Sequence, residues 1–333
     1  MEKWRNEVNK TSQGGTEQMM TRLYNTLGDD FLEDFQIIPS RVRELDETKL
    51  RVLWCHDLPG DPESKHLENG GHKKFHKLVF CSNWQQQKYI EQFNIPWSKT
   101  VVLKNAIAPI DINLSEKFKQ APSQVNVVYH TTPHRGLELL VPAFEKLTEK
   151  YDNIHLHVFS SFKIYGWDQR DEAYKPLYDR IQNHEKMTYH GFTSNSELRE
   201  HLKEMHIFGY PSIWPETSCI SLIEAMSAGL LCLHPNYGAL YETASNWTFM
   251  YNFLDDKSQH AGMFCQLLDQ LIGMTLHNDE YLQNKLFNQK SYADLYYNWE
   301  TRAEEWRNLL NSLRDLPREL EPYAEPSDFV YKI

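Results

Sequence analysis

The sequence lacks three features that would place it in a well-defined class. No apolar run approaches the roughly 18 residues of a membrane-spanning helix, so we expect no transmembrane segment. The opening stretch MEKWRNEVNK has no apolar centre of the kind found in secretory signals. The five cysteines are odd in number and include no C-x-x-C pair. We therefore predict reduced thiols and a cytoplasmic location, not a disulfide or zinc framework.

The charge is acidic and unevenly distributed. The net charge is −11, with 17 basic and 17 acidic residues in 1–120 but 18 basic and 29 acidic residues in the remainder. Such a balance argues against a nucleic-acid-binding protein, which needs a basic face. The run HKKFHK at 72–77 is either a local contact for an acidic acceptor or a solvated helix face. Neither nucleic-acid binding nor peripheral membrane contact is indicated.

Short strand patterns alternate with helical patterns along most of the chain. The candidate strands are 35–38, 50–55, 77–81, 100–104, 125–130, 154–160, 187–191, 206–211, 230–234 and 247–251. Alternation of this kind predicts parallel sheets covered by helices, an α/β fold. The length of 333 residues favours two domains over one.

The domain boundaries follow from changes in composition. We expect an N-terminal domain at 1–115, with a polar linker within 111–124, and a second domain at 124–290. A helix at 291–312, rich in aromatic residues and leucine, either crosses back to the first domain or packs as an ordinary core helix. The acidic, proline-rich end at 313–333 is expected to be a loosely held tail.

The stretch WPETSCISLIEAMSAG at 214–229 lies between two apolar strand patterns. It has the form of a strand-to-helix crossing, where free backbone N–H groups near Cys219, Ile220 and Ser221 suit a phosphate. Glu216 in the loop and Glu224 on the helix are placed to accept hydroxyls of a sugar and of a ribose. Two glutamates eight positions apart are common by chance, so only the whole segment is informative.

A second crossing, VVYHTTPHRGLELL, ends its strand at His130 and begins a helix near Leu137. Arg135 is at the helix N-terminus, where the dipole already disfavours a cation, and a bound anion would resolve this conflict. The alternative is a surface arginine that tolerates its position.

Two weaker signals are Gly14–Gly15 before a helix and His56 after a strand. A plain flexible turn and a structural histidine would look the same.

The order of these segments resembles the family 4 retaining glycosyltransferases. The similarity runs from GGTE at 14–17 through TTPHRGLELL and YHGF to YPSIWPET and SLIEAMSAG, and covers roughly residues 12 to 245. It implies the GT-B fold, in which two Rossmann-like domains face each other across a cleft. The C-terminal domain would hold a nucleotide sugar, and the N-terminal domain would offer the acceptor.

The resemblance also implies roles for individual residues. Arg135 would neutralise the leaving diphosphate, Glu216 would contact the transferred sugar, and His56 would lie near the reacting carbon. The implied donor-binding residues are Gly14, Gly15, His130, Thr132, Gly191, Phe192, Tyr210, Cys219, Ile220, Ser221 and Glu224. Gly14 and Gly15 would close over the phosphates from the N-terminal domain, together with His56, and the HGF segment at 190–192 would lie against the base.

The sequence departs from the family pattern at two points. His130 occupies a position where the family usually has an arginine, so diphosphate neutralisation would rest mainly on Arg135, with His130 as a charged helper. Only MEKWRNEVNKTSQ precedes the Gly-Gly pair, where the family has an apolar strand. The first N-terminal strand is therefore expected to be missing or altered.

These observations lead to a functional hypothesis. We expect a retaining transfer of a hexose-type sugar from a UDP-sugar, or next a GDP-sugar, to an unidentified acceptor. No Asp-x-Asp motif is present, so no metal or other cofactor is expected, and Arg135 with helix N-termini would stabilise the leaving group. The alternatives are a GT-B sugar-nucleotide epimerase or hydrolase, and a nucleotide-sugar-binding protein with weak turnover.

Overall fold

The computed structural model describes residues 6–9 and 11–320 of the chain. They divide into two compact units. Within the described residues, unit 1 comprises 6–9, 20–103 and 303–320, and unit 2 comprises 11–19 and 104–302. None of the helices in this part of the chain combines the length and apolar composition needed to cross a membrane.

Unit 1 is built on a four-stranded parallel sheet. Its strands, in the order β1-β2-β3-β4, are β1 (Phe35–Pro39), β2 (Leu50–Cys55), β3 (Lys77–Phe80) and β4 (Thr100–Val102). The helices are α1 (Gly15–Leu27), which begins in unit 2, α2 (Asp29–Leu32), α3 (Asn83–Phe93) and the later part of α12 (Trp299–Leu313), with 3-10 turns at Pro62–Lys74 and Trp97–Lys99. Strands β1 and β2 are buried along their whole length, as is typical of parallel strands covered on both faces.

Unit 2 is built on a six-stranded parallel sheet with the order β10-β9-β8-β5-β6-β7. Its strands are β5 (Val125–Tyr129), β6 (Ile154–Val158), β7 (Met187–Tyr189), β8 (Ile207–Gly209), β9 (Leu231–Pro235) and β10 (Phe249–Tyr251). Its helices are α4 (Leu114–Lys117), α5 (Leu137–Thr148), α6 (Lys175–Gln182), α7 (Asn195–Lys203), α8 (Ile220–Ser227), α9 (Leu240–Ala244), α10 (Lys257–Leu276) and α11 (Glu280–Tyr296). Short 3-10 segments lie at Pro133–Arg135, Phe162–Tyr165 and Asp168–Tyr174.

The segment that the sequence suggested as a linker belongs to unit 2. The division between the units falls between Leu103 and Lys104, upstream of 111–124. Leu114 and Phe118 are buried in the core of unit 2, although most residues around them are polar. Leu114 packs directly against Gly229, so this stretch is held by apolar contacts and does not act as a free connector.

The single helix expected at 291–312 is divided into two. Helix α11 ends at Tyr296 and α12 begins at Trp299. The intervening backbone pairs with Ile107, whose N–H donates to the Tyr297 carbonyl at 2.8 Å and whose carbonyl accepts from the Trp299 N–H at 2.9 Å. These two bonds to a distant segment replace helical bonds at the break.

The described part of the C-terminal tail is attached to unit 1, unlike the loose tail that its composition suggested. Arg314 and Arg318 both bind the carboxylate of Asp34. The Pro317 carbonyl lies 3.0 Å from Nε2 of His76. The remainder of the tail, 321–333, lies outside the described residues. No strand precedes α1 within 6–9 and 11–14, where the family pattern would have its first strand.

The core of unit 1 leads to a prediction for Trp306 on α12. This side chain is fully buried, and its ring lies 4.6 Å from that of Trp54 in an edge-to-face arrangement. Replacing Trp306→Ala should lower the free energy of unfolding by about 3–5 kcal/mol, because a large cavity remains. Trp97→Ala is the matched control: Trp97 is 68% exposed in the same unit, so its loss should cost less than about 0.5 kcal/mol. Equal losses in urea denaturation followed by circular dichroism would contradict this packing.

Candidate active site

The site of unit 2 lies where the strand order reverses. Strand β5 pairs with β6 on one side and β8 on the other, and the chain continues outward to β7 before it returns to β8. In open parallel sheets, ligands bind at the carboxyl ends of strands beside such a switch point. The loop that follows β5 carries His130 to Arg135, and the loop that follows β8 carries Tyr210 to Glu216. The two segments that the sequence singled out are therefore neighbours.

Two glycines allow these loops to approach each other closely. Gly136 has φ 130°, and a Cβ atom there would collide with the carbonyl of Pro211. Gly238 has φ 60°, and its Cβ would lie 2.5 Å from the backbone nitrogen of Glu216. The Ala239 N–H also donates to the Glu216 carbonyl at 2.7 Å. The backbone of Glu216 is thus held in place before its side chain makes any contact.

Arg135, which is partly buried, and Glu216, which is buried, form an ion pair. One terminal nitrogen of Arg135 lies 2.6 Å and 2.8 Å from the two carboxylate oxygens of Glu216. The Tyr210 hydroxyl donates to the same carboxylate, and the second terminal nitrogen of Arg135 donates to the Tyr165 hydroxyl at 3.3 Å. The sequence assigned the two charges separate partners, diphosphate and sugar. In this structure each charge is the other's counter-ion.

His130 lies at the end of β5 and is uncharged, which corrects the expectation of a charged helper. Its ring is buried and packs 4.7 Å from the ring of Phe208. Burial lowers the pKa of His130 to about 3, because the imidazolium would lose its hydration. Arg135 is therefore the cation of this crossing at neutral pH.

Helix α8 presents its N-terminus to the same crossing. Cys219 is the N-cap residue, and its side chain makes no cap hydrogen bond to the helix. The Ser221 hydroxyl donates to the His130 carbonyl at 3.0 Å, which ties the first turn of α8 to the loop after β5. Burial and the charge of Glu216 raise the pKa of the Cys219 thiol. Together with Ile220, these residues form the helix N-terminus that the sequence predicted at this position.

Several buried polar atoms around the crossing have no hydrogen-bond partner within residues 6–9 and 11–320. They are both ring nitrogens of His130, the Thr132 hydroxyl, Nδ1 of His134, Nε of Arg135 and the Ser160 hydroxyl. Buried polar groups are normally paired, so a cluster without partners in two adjacent loops indicates a place for a polar ligand. Thr132 was predicted as a donor-binding residue, whereas Ser160 after β6 carried no sequence signal.

The Gly-Gly pair lies in unit 2, although the sequence assigned it to the N-terminal domain. A Cβ on Gly14 would be 2.7 Å from the ring of Tyr165, and one on Gly15 would be 3.0 Å from Ile220. Helix α1 begins at Gly15, and the Ser12 hydroxyl donates to Glu17 at 2.8 Å. The pair therefore packs against Ile220 of the crossing and against Tyr165, and a larger residue at position 14 would require the Tyr165 ring to move.

The HGF segment follows β7. Gly191 has φ 68°, a conformation that favours glycine, and Phe192 lies beneath the ammonium of Lys163 at 5.7 Å. His190 stacks on Phe159 at 4.0 Å. These contacts fix the segment at the carboxyl edge of the sheet, near the loop that follows β6.

Glu224 lies on the second turn of α8 and is buried. Its Oε1 atom accepts from the Asn195 side-chain amide at 2.9 Å and from Arg199 at 3.2 Å. Sequence reasoning missed both partners. Their one signal is a spacing of four residues on α7, which places them on the same helical face but does not identify what they contact.

His56 belongs to unit 1, where it follows β2. Its backbone N–H donates to the hydroxyl of Ser40 at 2.8 Å, and Ser40 adopts φ 58° to form this turn. The ring lies 4.6 Å from Trp54, and its Nδ1 atom is 3.6 Å from the sulfur of Cys81. Desolvation lowers the pKa of His56 to about 3, so the imidazole is neutral.

The architecture is shared with solved glycosyltransferases of the GT-B fold. A glycosyltransferase from Rickettsia africae ESF-5 has 16% identity and a TM-score of 0.63, over 93% of this chain and 85% of that one. WaaG, a glycosyltransferase involved in lipopolysaccharide biosynthesis, has 16% identity and a TM-score of 0.59, over 91% and 84%. Anabaena Alr3699/HepE, solved with UDP-glucose, has 15% identity and a TM-score of 0.61, over 80% and 73%. These similarities confirm the predicted fold.

Residues 113–264 match the model of the family described as "Glycosyl transferases group 1". This range includes Arg135, Glu216 and Glu224. This part of the chain is therefore similar to the group 1 glycosyltransferases, the broad class to which the resemblance seen in the sequence points. No curated protein sequence matches the chain.

The buried histidine predicts a specific dependence of stability on pH. A pKa of about 3 in the folded state lies below the ordinary value of 6.5, so protonation favours unfolding. The contribution of neutral His130 to the free energy of unfolding is fully present above about pH 6.5 and is lost as the pH falls toward 3. When the pH is lowered from 6.5 to 4.5, the free energy of unfolding should fall by roughly 2 kcal/mol less in His130→Asn than in the unmodified chain.

The control is His277→Asn, which replaces an exposed histidine and should show the same acid profile as the unmodified chain. Identical acid profiles for His130→Asn and the unmodified chain in urea titrations would refute the assignment.

Proposed function

We propose that this chain transfers a hexose-type sugar from a nucleoside diphosphate sugar to an acceptor, with a UDP-sugar as the first candidate and a GDP-sugar as the second. The Arg135–Glu216 pair, beside the N-terminus of α8 and the unpartnered polar atoms, is the observation that carries this proposal. Two proteins of similar fold support the choice of base: HepE was solved with UDP-glucose, and pneumococcal GtfA with UDP and GlcNAc.

The proposed roles follow from the chemistry of the donor. Cleavage of the sugar–phosphate bond leaves negative charge on the diphosphate, which Arg135 and the free N–H groups of α8 would stabilise. Neutral His130 would donate a hydrogen bond to the same group. Glu216, released from Arg135, would accept from a hydroxyl of the sugar, and Glu224 would accept from the ribose. We assign no covalent nucleophile.

We further propose that the reaction needs no metal and retains the anomeric configuration. The leaving phosphate would deprotonate the acceptor on the face from which it departs, which accounts for retention without an intermediate on the protein. The role that the sequence assigned to His56 stays a prediction, and its imidazole is neutral. A cytoplasmic location remains a prediction that rests on the odd number of cysteines and the lack of a C-x-x-C pair in the sequence.

A panel of nucleotides and nucleotide sugars tests the donor. A ligand present at 100 times its dissociation constant adds roughly 2.7 kcal/mol to stability, which a thermal-shift assay detects. Turnover of the donor that stabilises the protein is then followed with and without simple sugar acceptors. Nuclear magnetic resonance of the product from an α-linked donor reports its configuration. A β-linked product would exclude the same-face mechanism.

The two glutamates should separate binding from transfer. Glu224→Gln should weaken UDP binding by about 10–100-fold, the scale of one lost charge-assisted hydrogen bond. Glu216→Gln should bind UDP at least as tightly as the unmodified chain, because Arg135 is then free of its internal counter-ion. Transfer should nevertheless be lost in Glu216→Gln. Calorimetry with UDP and a transfer assay give both quantities, and equal losses of UDP affinity in the two variants would contradict the assignment.

Arg135 should carry most of the leaving-group stabilisation. Arg135→Gln should lower turnover by about 10²–10³-fold, the scale for one preorganised stabilising group. Arg180→Gln is the matched control, because it removes another arginine of unit 2 that pairs with a glutamate, Glu145, on the surface.

The unmodified chain should keep its activity in EDTA. Loss of activity in EDTA, restored by manganese or magnesium, would overturn this prediction of metal independence.

A further inference from the structure

The two carboxylate oxygens of Glu224 have different surroundings. Oε1 accepts two hydrogen bonds, from Asn195 at 2.9 Å and from Arg199 at 3.2 Å. Within residues 6–9 and 11–320, no group donates to Oε2. The side chain of Glu224 is only 3% exposed. A buried carboxylate with one occupied and one open oxygen is oriented for a ligand that supplies further donors.

Arg199 is fixed on its other side as well. Its second terminal nitrogen donates to the carbonyls of Ala108 and Pro109, at 2.6 Å and 3.2 Å. Three hydrogen bonds in different directions hold the planar guanidinium, so it cannot rotate away from Glu224 without losing its backbone contacts. The donor that binds Oε1 is therefore itself held in position.

The sequence of α7 explains why two donors reach one oxygen. Ser194 caps the helix, with its hydroxyl accepting from the Glu197 N–H at 3.3 Å. Asn195 is the first residue of the helix and Arg199 follows one turn later, so both side chains project from the same face. The short amide reaches Oε1 directly, and the longer guanidinium reaches it from the next turn.

We propose that Arg199 and Asn195 are positioning residues of the donor site, which hold Glu224 by Oε1 so that Oε2 is presented to the ribose hydroxyls of the nucleotide. This inference rests on the proposed function and adds two residues that act through Glu224. Neither touches the nucleotide. Their effect is to set the preference of the site for a ribose over a deoxyribose.

A purely structural ion pair between α7 and α8 would behave differently. Loss of such an ion pair would lower the free energy of unfolding and would weaken the binding of all nucleotides to a similar extent. A positioning role instead changes the ratio of two affinities, because only the hydroxyl-bearing ligand uses the oriented carboxylate. The ratio of UDP affinity to deoxy-UDP affinity is therefore the quantity that distinguishes the two roles.

The experiment is calorimetry of the full chain with UDP, 2′-deoxy-UDP and 3′-deoxy-UDP, or the corresponding guanosine set if GDP binds more tightly. The unmodified chain should prefer the ribonucleotide over at least one deoxy form by about 10–100-fold. Arg199→Gln and Asn195→Ala should each reduce this preference at least about fivefold, mainly through weaker UDP binding. Arg180→Gln should leave it unchanged. Asn195→Ala keeps the test valid if Arg199→Gln does not fold.

The possible results lead to distinct conclusions. A reduced preference in the variants with little change in deoxy-UDP affinity supports the positioning role. A preserved preference in both variants, or an equal loss for UDP and deoxy-UDP, overturns it while leaving the proposed function intact. An unmodified chain that binds no nucleoside diphosphate overturns the proposed function and this inference together.

Discussion

The ion pair between Arg135 and Glu216 is the interaction on which the candidate site depends. Two charges that are largely removed from water are tolerable only as a pair, because either one alone would keep its full desolvation cost. The pairing requires the loops after β5 and β8 to approach within hydrogen-bond distance, which Gly136 and Gly238 permit. Any ligand that separates the pair must supply a new anion to Arg135 and a new donor to Glu216. A nucleoside diphosphate sugar carries both in separate groups, whereas a free sugar has donors but no anion.

The same balance extends to the second carboxylate. Glu224 has Arg199 as its counter-ion, and His130 is neutral, so the charged groups of the site cancel in two arginine–glutamate pairs. Unit 2 therefore does not need a basic surface to receive a diphosphate, and the acidic composition of this part of the chain is compatible with anion binding. Under the proposed function, recognition would depend on where donors point, through the N-terminus of α8 and the unpartnered side chains, more than on net charge.

Local patterns in the sequence predicted the strands well, because most of them are short runs rich in apolar, β-branched or aromatic residues. All ten candidate strands are present, and α8 begins where the sequence placed a helix N-terminus. What the sequence could not provide are contacts between distant segments. Ile107 pairs with the backbone near Asn298, and this pairing interrupts the single helix that the composition of residues 291–312 favours. Similarly, Gly14 packs beside Tyr165, and Arg199 binds Glu224, although no spacing along the chain links these residues.

Cys219 has a further chemical consequence. A cysteine at a helix N-terminus is commonly activated as a thiolate, which reacts readily with peroxide and with alkylating reagents. Here burial and the neighbouring Glu216 carboxylate raise the thiol pKa, so the helix dipole does not produce a nucleophile. The thiol instead serves as a small apolar group at the first turn of α8. The N-terminal end of this helix can therefore remain chemically inert under oxidative conditions that would modify an exposed cysteine at the same position.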